Sequence, residues 1–325
     1  MEKVHWGIIG CGDVTEVKSG PAFSRVENSE LVAVMRRNAE KAKDYAKRHN
    51  VPIWYNDAGK LINDNNVDAI YIATPPSSHL EYTVMSAEAG KPVYVEKPMA
   101  AGYKQCTDMI NVCKKNNVKL FVAYYRRELH GFKKIKEVIE SGRLGEIKFV
   151  NIKLYWPVDK NINRNNIPWR YNPDISGAGL FYDLASHQLD YLDYIFGPIK
   201  EAIGSYTNQA GLYEAEDIVS ASLKFESNII GSGLWCFTVN ESDKLDKTEI
   251  IGTNGKITFS FFDQTPIELN IDGKKELINT DWAKHVQEPL IKTVINDLLG
   301  KGKCISTGES GARTNWIMDK VLNRI

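Results

Sequence analysis

The first 123 residues alternate short apolar strands with helices, and this alternation limits the folds that the chain can adopt. The predicted strands, such as residues 4–9 and 68–73, are continuous apolar runs. Continuous runs are typical of strands that are covered on both faces. Strand–helix–strand repeats of this kind build a parallel sheet with helices on both sides. We therefore predict a doubly wound α/β domain over residues 1–123. Asn38 and Asp57 are the predicted N-caps of two of its helices, because such side chains accept a hydrogen bond from a free backbone amide at a helix start.

A glycine-rich turn, Gly10-Cys11-Gly12, follows the first predicted strand. The first glycine permits a tight turn, and the second lets backbone amides approach a pyrophosphate. Thr15 replaces the third glycine of the usual fingerprint, and a Gly-Pro pair at positions 20 and 21 interrupts the next helix. We therefore expect a short or kinked helix after the turn. The position of the turn in a strand–helix series favours dinucleotide binding over a purely structural turn.

The end of the second predicted strand bears on the choice of cofactor. An NAD site usually places an acid there to hold the ribose 2′-hydroxyl. This chain has Arg36 and Arg37 at that position. Guanidinium groups can bind a 2′-phosphate through paired hydrogen bonds. We predict NADP as the preferred cofactor and NAD as the alternative; a solvated basic loop is the structural explanation of the same residues.

Charge and cysteine content exclude several classes of partner. Lys+Arg and Asp+Glu both number 41, which argues against a nucleic acid or an anionic membrane as the main partner. The five cysteines show neither a CxxC pair nor metal-ligand spacing, so we expect reduced thiols, no metal site and a cytoplasmic protein. The N-terminus lacks a basic-then-apolar leader, and no apolar run approaches the length of a membrane span.

The second half of the chain has the pattern of a mostly antiparallel sheet with a few helices. Long strands are predicted at residues 147–156, 202–208, 218–225 and 229–239, and the pairs Asn254-Gly255 and Asp272-Gly273 suit tight hairpins. Both faces of the strand at 229–239 are apolar or small. One face can pack on helices of the same domain and the other on a second subunit, so we expect a homodimer or homotetramer. A sheet buried within one chain is the alternative.

Two short motifs contain candidate catalytic groups. Lys97, in Glu96-Lys97-Pro98, ends a predicted strand, and ligands bind at the carboxyl ends of strands in open α/β sheets. Residues 180–196 predict a helix on which Asp183 and His187 are neighbours. A histidine has its pKa near working pH, which suits proton transfer. The structural alternatives are a surface lysine before a turn and a solvated helix face.

Together these residues resemble the glucose–fructose oxidoreductase / inositol dehydrogenase (Gfo/Idh/MocA) family. The matching motifs are, in chain order, Gly7-Ile8-Ile9-Gly10-Cys11-Gly12, Ala73-Thr74-Pro75-Pro76 with Ser78-His79, Glu96-Lys97-Pro98, Trp169-Arg170, and Gly177-Ala178-Gly179 with Asp183 and His187. The resemblance implies a Rossmann domain at residues 1–123 and a C-terminal α+β domain at residues 124–325. The second domain would bind substrate and form oligomers through a large, mostly antiparallel open sheet.

The resemblance also assigns cofactor and substrate contacts. It implies contacts to the pyrophosphate and adenosine ribose from Gly10, Cys11, Gly12, Asp13, Val14, Arg36 and Arg37. It implies contacts near the nicotinamide from Ala73, Thr74, Pro75, His79, Glu96 and Lys97, with the Lys97–Pro98 peptide cis. Further cofactor contacts would come from Arg126, Trp169 and Arg170. The substrate contacts would be Lys97, Tyr124, Asp183, His187 and His285. Apart from the resemblance, several aromatic residues fall around the same predicted site, and aromatic faces beside Asp and Arg groups suit a carbohydrate; packing in a core or interface is the alternative. These residues are Tyr155, a predicted substrate contact, and Trp156, Trp169 and Tyr182.

The predicted activity is hydride transfer between a nicotinamide and a secondary alcohol or ketone of a sugar or polyol. His187 would move the hydroxyl proton, Lys97 would hydrogen-bond the same oxygen, and Asp183 would orient His187 and hold substrate hydroxyls. An exchange of the roles of Lys97 and His187 is the alternative that the sequence leaves open. Ala178 and Leu184-Ala185-Ser186 depart from glycines common in the family, which leaves the substrate open. Three alternatives share the fold: a non-catalytic NADP-sensing regulator, an NAD-dependent glycoside hydrolase and a dihydrodiol dehydrogenase.

Overall fold

The computed structural model describes residues 2–160, 162 and 167–325, and its chain divides into two compact units. The first unit comprises Met1–Tyr125 and Ala283–Arg313, and the second comprises Arg126–Trp282 and Thr314–Ile325. The chain therefore contributes a late segment to the first unit before it ends in the second. The domain boundary predicted between residues 123 and 124 stays a prediction.

A six-stranded parallel sheet forms the centre of the first unit. Its strands are β1 (Val4–Ile9), β2 (Ser29–Met35), β3 (Ile53–Tyr55), β4 (Ala69–Ile72), β5 (Val93–Val95) and β6 (Leu120–Val122). The order across the sheet is β3-β2-β1-β4-β5-β6, with every pair parallel. This is the doubly wound dinucleotide-binding order. It confirms the predicted fold class for this part of the chain.

Helices flank this sheet, and local sequence explains where several begin. They are α1 (Asp13–Val17), α2 (Ala22–Arg25), α3 (Ala39–Arg48), α4 (Ala58–Ile62), α5 (His79–Glu88), α6 (Tyr103–Lys115) and, from the late segment, α10 (Glu288–Leu298). The Asn38 side chain accepts a hydrogen bond from Lys41 N at 3.0 Å, and Asp57 does the same for Lys60 N at 2.9 Å. Both residues are N-caps, as predicted. The helix after the glycine turn is short, also as predicted.

An eight-stranded mixed sheet dominates the second unit. Its strands are β7 (Ile147–Pro157), β8 (Ile199–Thr207), β9 (Ile218–Phe225), β10 (Ile230–Val239), β11 (Leu245–Gly252), β12 (Gly255–Phe259), β13 (Ile267–Ile271) and β14 (Lys274–Ile278). The order is β14-β13-β12-β11-β7-β10-β9-β8, and only the β7–β10 pair is parallel. The mostly antiparallel sheet and both hairpins are confirmed.

One face of this sheet packs on the helices of its own unit. These helices are α7 (His130–Glu140), α9 (Ser186–Phe196) and α11 (Gly308–Val321), whose first residues lie in the first unit. The short helix α8 (Pro173–Ser176) also belongs to the second unit. Trp235 of β10 is fully buried, and its indole Nε1 donates to Gln188 Oε1 on α9 at 2.6 Å. Trp235 also contacts the Phe181 ring edge-on, with centroids 5.2 Å apart. None of the helices in the described part of the chain has both the length and the apolar content to cross a membrane.

The helix predicted at residues 180–196 differs from expectation at its start. Phe181–Ala185 forms a π-helical turn, and the α-helix begins at Ser186. A π turn widens the helix and shifts the side chains that follow it. The polar side of this helix is not solvated, because His187 is 4% exposed and Asp190 is 1% exposed. The structural alternative of a solvated helix face is therefore wrong.

Candidate cofactor and active site

The glycine turn has two glycines with different backbone requirements. Gly10 has φ +92°, and a Cβ atom there would lie 2.7 Å from Thr74 Cγ2 and 3.0 Å from the Ala73 carbonyl carbon. Gly12 has an extended backbone (φ −120°), and the nearest atom to its ideal Cβ position is Gly10 O at 3.8 Å. Gly10 is thus required by the fold, whereas Gly12 keeps space open beside the backbone.

Arg36 lies against this turn. Its Nη1 donates to the carbonyl oxygen of Cys11 at 3.2 Å, and its side chain is half-buried, whereas Arg37 is exposed. Thr15 Oγ1 donates to Gly12 O at 2.8 Å, so the residue in place of the third glycine stabilises the turn. Close backbone packing next to this helix is found at Gly20, where a Cβ atom would lie 2.2 Å from Thr15 O. The turn and the end of β2 therefore present open backbone beside two guanidinium groups, which fits a dinucleotide.

His79 joins the loops that follow β4 and β5. It is fully buried, and its Nε2 lies 2.8 Å from Thr74 O while Nδ1 lies 3.1 Å from Met99 O. Burial lowers the pKa of His79. His79 thus holds the Thr74 loop beside the segment that carries Lys97, and its buried ring offers little surface for the predicted cofactor contact.

Glu96 and Lys97 stand at the end of β5, and the Lys97–Pro98 peptide bond is cis, as predicted. Lys97 N donates to Glu96 Oε2 at 3.1 Å. Glu96 Oε1 accepts from the Tyr71 hydroxyl at 2.5 Å and from Gln287 Nε2 at 2.6 Å. Burial, together with the Glu96 charge, raises the pKa of Tyr71 well above its usual range, so its hydroxyl stays protonated and donates. Glu96 is therefore fixed by three donors.

The second unit places Asp183 and His187 near several aromatic and basic groups. Asp183 Oδ2 lies 3.3 Å from Arg170 Nε, and the Arg170 guanidinium lies 4.7 Å from the centre of the Trp169 ring. The His187 ring meets the Phe262 ring edge-on, with centroids 6.0 Å apart. The structure thus brings together Trp169, Arg170 and Asp183, all predicted from sequence. Lys97 belongs to the other unit.

Phe262 was missed by the sequence analysis. Its ring lies 5.4 Å from that of Trp156, and the Arg126 guanidinium lies 4.7 Å from its centre. The backbone N–H of Phe262 donates to Asp246 Oδ2 at 2.6 Å, which fixes the loop after β12. Phe262 lies beyond the end of a strand and outside every motif, so no sequence pattern marked it.

Strand alternation bears on the predicted substrate contact of Tyr155. Leu154 pairs in register with Trp235, whose side chain contacts α9, whereas Tyr155 pairs with Cys236. Successive strand residues point to opposite faces, so Tyr155 points away from the face that carries His187. Trp156 shares the face of Leu154 and contacts Phe262. Trp156 and His187 thus contact the same Phe262 ring, and a substrate contact from Tyr155 stays a prediction.

Three other predicted contacts have structural surroundings that do not support them. Tyr124 is fully buried and belongs to the apolar core of the first unit. Arg126 is 3% exposed, and its Nε and Nη2 donate to Phe261 O at 3.0 and 2.8 Å. His285 is 8% exposed, and its Nδ1 donates to Val17 O at 2.5 Å. A direct ligand contact from any of them stays a prediction. The described residues contain no cluster of acidic, histidine or cysteine side chains that could hold a metal ion.

Comparisons with known proteins agree with this geometry. Residues 4–124 match the oxidoreductase family model with an NAD-binding Rossmann fold, and residues 132–258 match the GFO/IDH/MocA C-terminal domain model. The chain is 40% identical over 318 residues to "Oxidoreductase P35" of Formosa agariphila, which covers 98% of both chains. It is 24% identical over 290 residues to the trans-1,2-dihydrobenzene-1,2-diol dehydrogenase of Xenopus laevis, covering 88% of this chain and 83% of that one.

Among solved structures, a levoglucosan dehydrogenase in complex with NADH and levoglucosan has the same fold. The TM-score is 0.87 at 20% sequence identity, and the match covers 99% of this chain and 96% of that one. The family models and the relative from Formosa agariphila together span the glycine turn, the Lys97 segment and the helix of His187. The chain is therefore an oxidoreductase of the Gfo/Idh/MocA family, with an NAD-binding Rossmann domain.

Proposed function

We propose that this oxidoreductase acts on a secondary alcohol, or the corresponding ketone, of a sugar or polyol. A nicotinamide cofactor, held by the residues around the glycine turn, would supply or accept the hydride. The observation that carries the proposal is the Glu96-Lys97 segment, because a lysine held at the end of the central parallel sheet stands where substrates meet the cofactor in this fold. The levoglucosan dehydrogenase that shares the fold was solved in complex with NADH and levoglucosan, which supports a carbohydrate substrate.

Proton handling is assigned to Lys97 and His187. The Lys97 ammonium group donates a hydrogen bond to the reacting oxygen and stabilises the negative charge that develops there. His187 takes the hydroxyl proton during oxidation and returns it during reduction. Asp183 holds substrate hydroxyls and orients the imidazole, and Arg170 keeps the Asp183 carboxylate in place through their 3.3 Å ion pair.

The aromatic residues beside His187 support binding of a ring-shaped substrate. The Phe262 and Trp156 rings lie 5.4 Å apart, and both are half-buried. Aromatic faces pack on the CH faces of a sugar, while polar groups such as Asp183 bind its hydroxyls. We therefore propose Trp156 and Phe262 as apolar substrate contacts.

The cofactor contacts follow the sequence prediction. The residues proposed to line the pyrophosphate are Gly10, Cys11, Gly12, Asp13 and Val14, with Ala73, Thr74 and Pro75 on the nicotinamide side. Arg36 and Arg37 make NADP the proposed preference, because Arg36 contacts the glycine turn and Arg37 is exposed beside it. Tighter binding of NADPH than of NADH is expected in fluorescence titrations. Arg37→Ala should bring the two dissociation constants closer together. Tighter binding of NADH would overturn the preference.

The Lys97→Met variant tests the catalytic assignment. Turnover should fall by about a hundredfold or more, the usual contribution of a group that acts on the reacting proton, while the Kd for NADPH stays within about threefold. Lys104→Met is the matched control, because its side chain is 83% exposed and pairs with Asp108 one turn away on the same helix. Near-normal turnover in Lys97→Met would refute the assignment.

A dihydrodiol dehydrogenase is the second candidate function. The Xenopus laevis relative carries that name, and the Phe262 and Trp156 rings beside His187 also suit an aromatic diol. A panel of sugars, polyols and dihydrodiols, followed at the NADPH absorbance band, separates the two. Turnover of dihydrodiols alone would replace the carbohydrate proposal.

Self-association and a cytoplasmic location are further parts of the proposal. On the sheet face opposite α9, Phe149 and Ile230 pair in register and are 39% and 47% exposed, and Ile203 of β8 is 70% exposed. Apolar groups grouped on a sheet face suit a subunit contact. Light scattering after gel filtration should show a dimer or tetramer, and Ile230→Glu should shift it toward the monomer. All five cysteines are free thiols, which agrees with a reducing compartment.

A further inference from the structure

Within the late segment of the first unit, Ala283–Arg313, residues 285–287 bring two polar side chains into the interior of that unit. His285 is 8% exposed and Gln287 is fully buried. His285 Nδ1 donates to Val17 O at 2.5 Å, and the backbone N–H of Gln287 donates to Lys18 O at 3.1 Å. The carbonyls at a helix end lack partners within the helix, so this segment caps α1, the helix that follows the glycine turn.

The side chain of Gln287 extends the same segment to the strand that carries Lys97. Its Nε2 donates to Glu96 Oε1 at 2.6 Å, and its Oε1 accepts from the Tyr94 hydroxyl at 3.0 Å. A carboxylate only accepts, so the amide nitrogen must face Glu96 and the amide oxygen must face Tyr94. Both tyrosines of this network, Tyr71 and Tyr94, are fully buried. The orientation of Gln287 is therefore determined from both sides.

Glu96 transmits this constraint to Lys97. One carboxylate oxygen accepts from Tyr71 and Gln287, and the other accepts from the Lys97 backbone N–H. Without Gln287, a buried carboxylate oxygen loses one of its two donors, and a buried charge with too few donors shifts toward other partners. Such a shift would pull on the bond between Oε2 and Lys97 N. The backbone at Lys97, and with it the direction of the side chain, depends on the Gln287 amide.

We propose that Gln287 is a positioning residue that sets the placement of the Lys97 ammonium group for the reaction. It acts through Glu96 and does not itself touch the substrate. The inference rests on the function proposed above for Lys97. The backbone of the same segment caps α1, so a change confined to the Gln287 side chain leaves the contact with the glycine-turn helix in place. The proposal therefore predicts an effect on turnover that is separate from cofactor affinity.

Gln287→Leu provides the first test. A displacement of about 1 Å at a reacting group costs up to a hundredfold in rate, so kcat should fall on the order of ten- to a hundredfold. The Kd for NADPH and the KM for NADPH should change less than about threefold. Ser306→Ala is the matched control: it removes a buried hydrogen bond from the same late segment, Ser306 Oγ to Val122 O at 2.7 Å, without touching Glu96. Ser306→Ala should lower Tm and leave kcat unchanged.

Gln287→Glu provides a second test with a readout other than activity. Two carboxyl groups would then lie within hydrogen-bond distance in a buried site, and they would share one proton, which raises the apparent pKa of the pair. A carboxyl with a raised folded-state pKa favours folding at low pH, and this contribution is lost as pH rises through the folded pKa. The Tm of the variant should therefore fall relative to the parent enzyme as pH rises. Its kcat, as a fraction of the parent value, should be highest at the acid end of the range, where the new carboxyl still donates to Glu96.

The outcomes separate this proposal from the assignment of Lys97. If Lys97→Met is inactive and Gln287→Leu keeps normal kcat, the role of Gln287 is refuted and that of Lys97 stands. If kcat and cofactor affinity fall together in Gln287→Leu, the residue is only structural, which also refutes the proposal. If Lys97→Met stays active, the proposed function fails, and the pH dependence of Tm in Gln287→Glu shows independently whether the contact with Glu96 exists. If Gln287→Leu does not fold, the test is the kcat of Gln287→Glu measured at several pH values. If this kcat is the same fraction of the parent kcat at every pH, Gln287 does not position Lys97.

Discussion

Replacing Gly10 by alanine should destabilise the first unit by a few kcal/mol. The left-handed φ of +92° costs a residue with a Cβ atom roughly 1–2 kcal/mol. The new methyl carbon would lie 2.7 Å from Thr74 Cγ2 and 3.0 Å from backbone atoms of Ala73, and overpacking of this kind adds about 1–3 kcal/mol. The sum, about 2–5 kcal/mol, corresponds to a fall in Tm of roughly 10 °C for a unit of this size.

Gly12→Ala should leave the stability nearly unchanged and weaken cofactor binding instead. Gly12 has φ −120°, which any residue adopts, and its Cβ position is at least 3.8 Å from the nearest neighbouring atom. The free energy of unfolding should therefore change by less than about 0.5 kcal/mol. The methyl group would instead occupy the space through which the backbone approaches the cofactor pyrophosphate. We expect the Kd for NADPH to rise at least about tenfold, a loss of about 1.4 kcal/mol of binding free energy.

Differential scanning fluorimetry and NADPH fluorescence titration measure the two effects on the same samples. The comparison is internal, because both variants add one methyl group to one turn. A Gly12→Ala protein that binds NADPH normally would contradict the role of this glycine in cofactor approach. A Gly10→Ala protein with unchanged Tm would show that the turn relaxes, and the reasoning from φ and contact distance would be wrong.

Two further predictions concern charged groups. Hydrogen bonds from Arg48, assisted by His49, lower the pKa of Glu16 to about 2. A carboxyl whose pKa is lower in the folded than in the unfolded protein stabilises the fold above its unfolded pKa. This stabilisation is lost as the pH falls toward the folded pKa. Glu16→Gln should therefore cost about 1 kcal/mol in urea unfolding at pH 7, and the difference should disappear between about pH 4.5 and 2. Asp190 and Arg127 form a buried ion pair, 1% and 3% exposed, so Asp190→Asn should cost about 3–5 kcal/mol in the same assay by leaving a buried guanidinium uncompensated. Replacing both by apolar residues should restore part of this loss, and equal instability of the double variant would contradict the explanation.

Local sequence signals predicted the elements that depend on near neighbours. The hairpin at Asn254-Gly255 is set by a turn that needs particular residues, and the N-caps Asn38 and Asp57 are set by bonds to residues three positions away. Continuous apolar runs located the central strands, because burial on both faces leaves no room for polar residues. The Lys97 segment was found because its position at a strand end is itself a local property.

Features that depend on distant contacts could not be predicted in the same way. The π turn at Phe181–Ala185 interrupts a segment whose pattern is that of one helix. Tyr155 and Trp156 are adjacent aromatic residues, and only the strand register shows which of them faces α9. Gln287 lies in a segment without a motif, and its importance comes from contacts with Glu96 and Tyr94, far away along the chain.

The late segment has a consequence for how the protein is made. During synthesis the first unit emerges early, yet the chain that caps α1 and completes the bonds of Glu96 is produced only after the whole sheet of the second unit. Until then Val17 O, Lys18 O and Glu96 lack their donors from residues 285–287. A nascent chain cut off before residue 283 would contain the glycine turn and the Lys97 segment, but it would lack the hydrogen bonds from residues 285–287. The first unit is therefore completed only after the sheet of the second unit has been synthesised, and it cannot be obtained in this form by cutting the chain before residue 283.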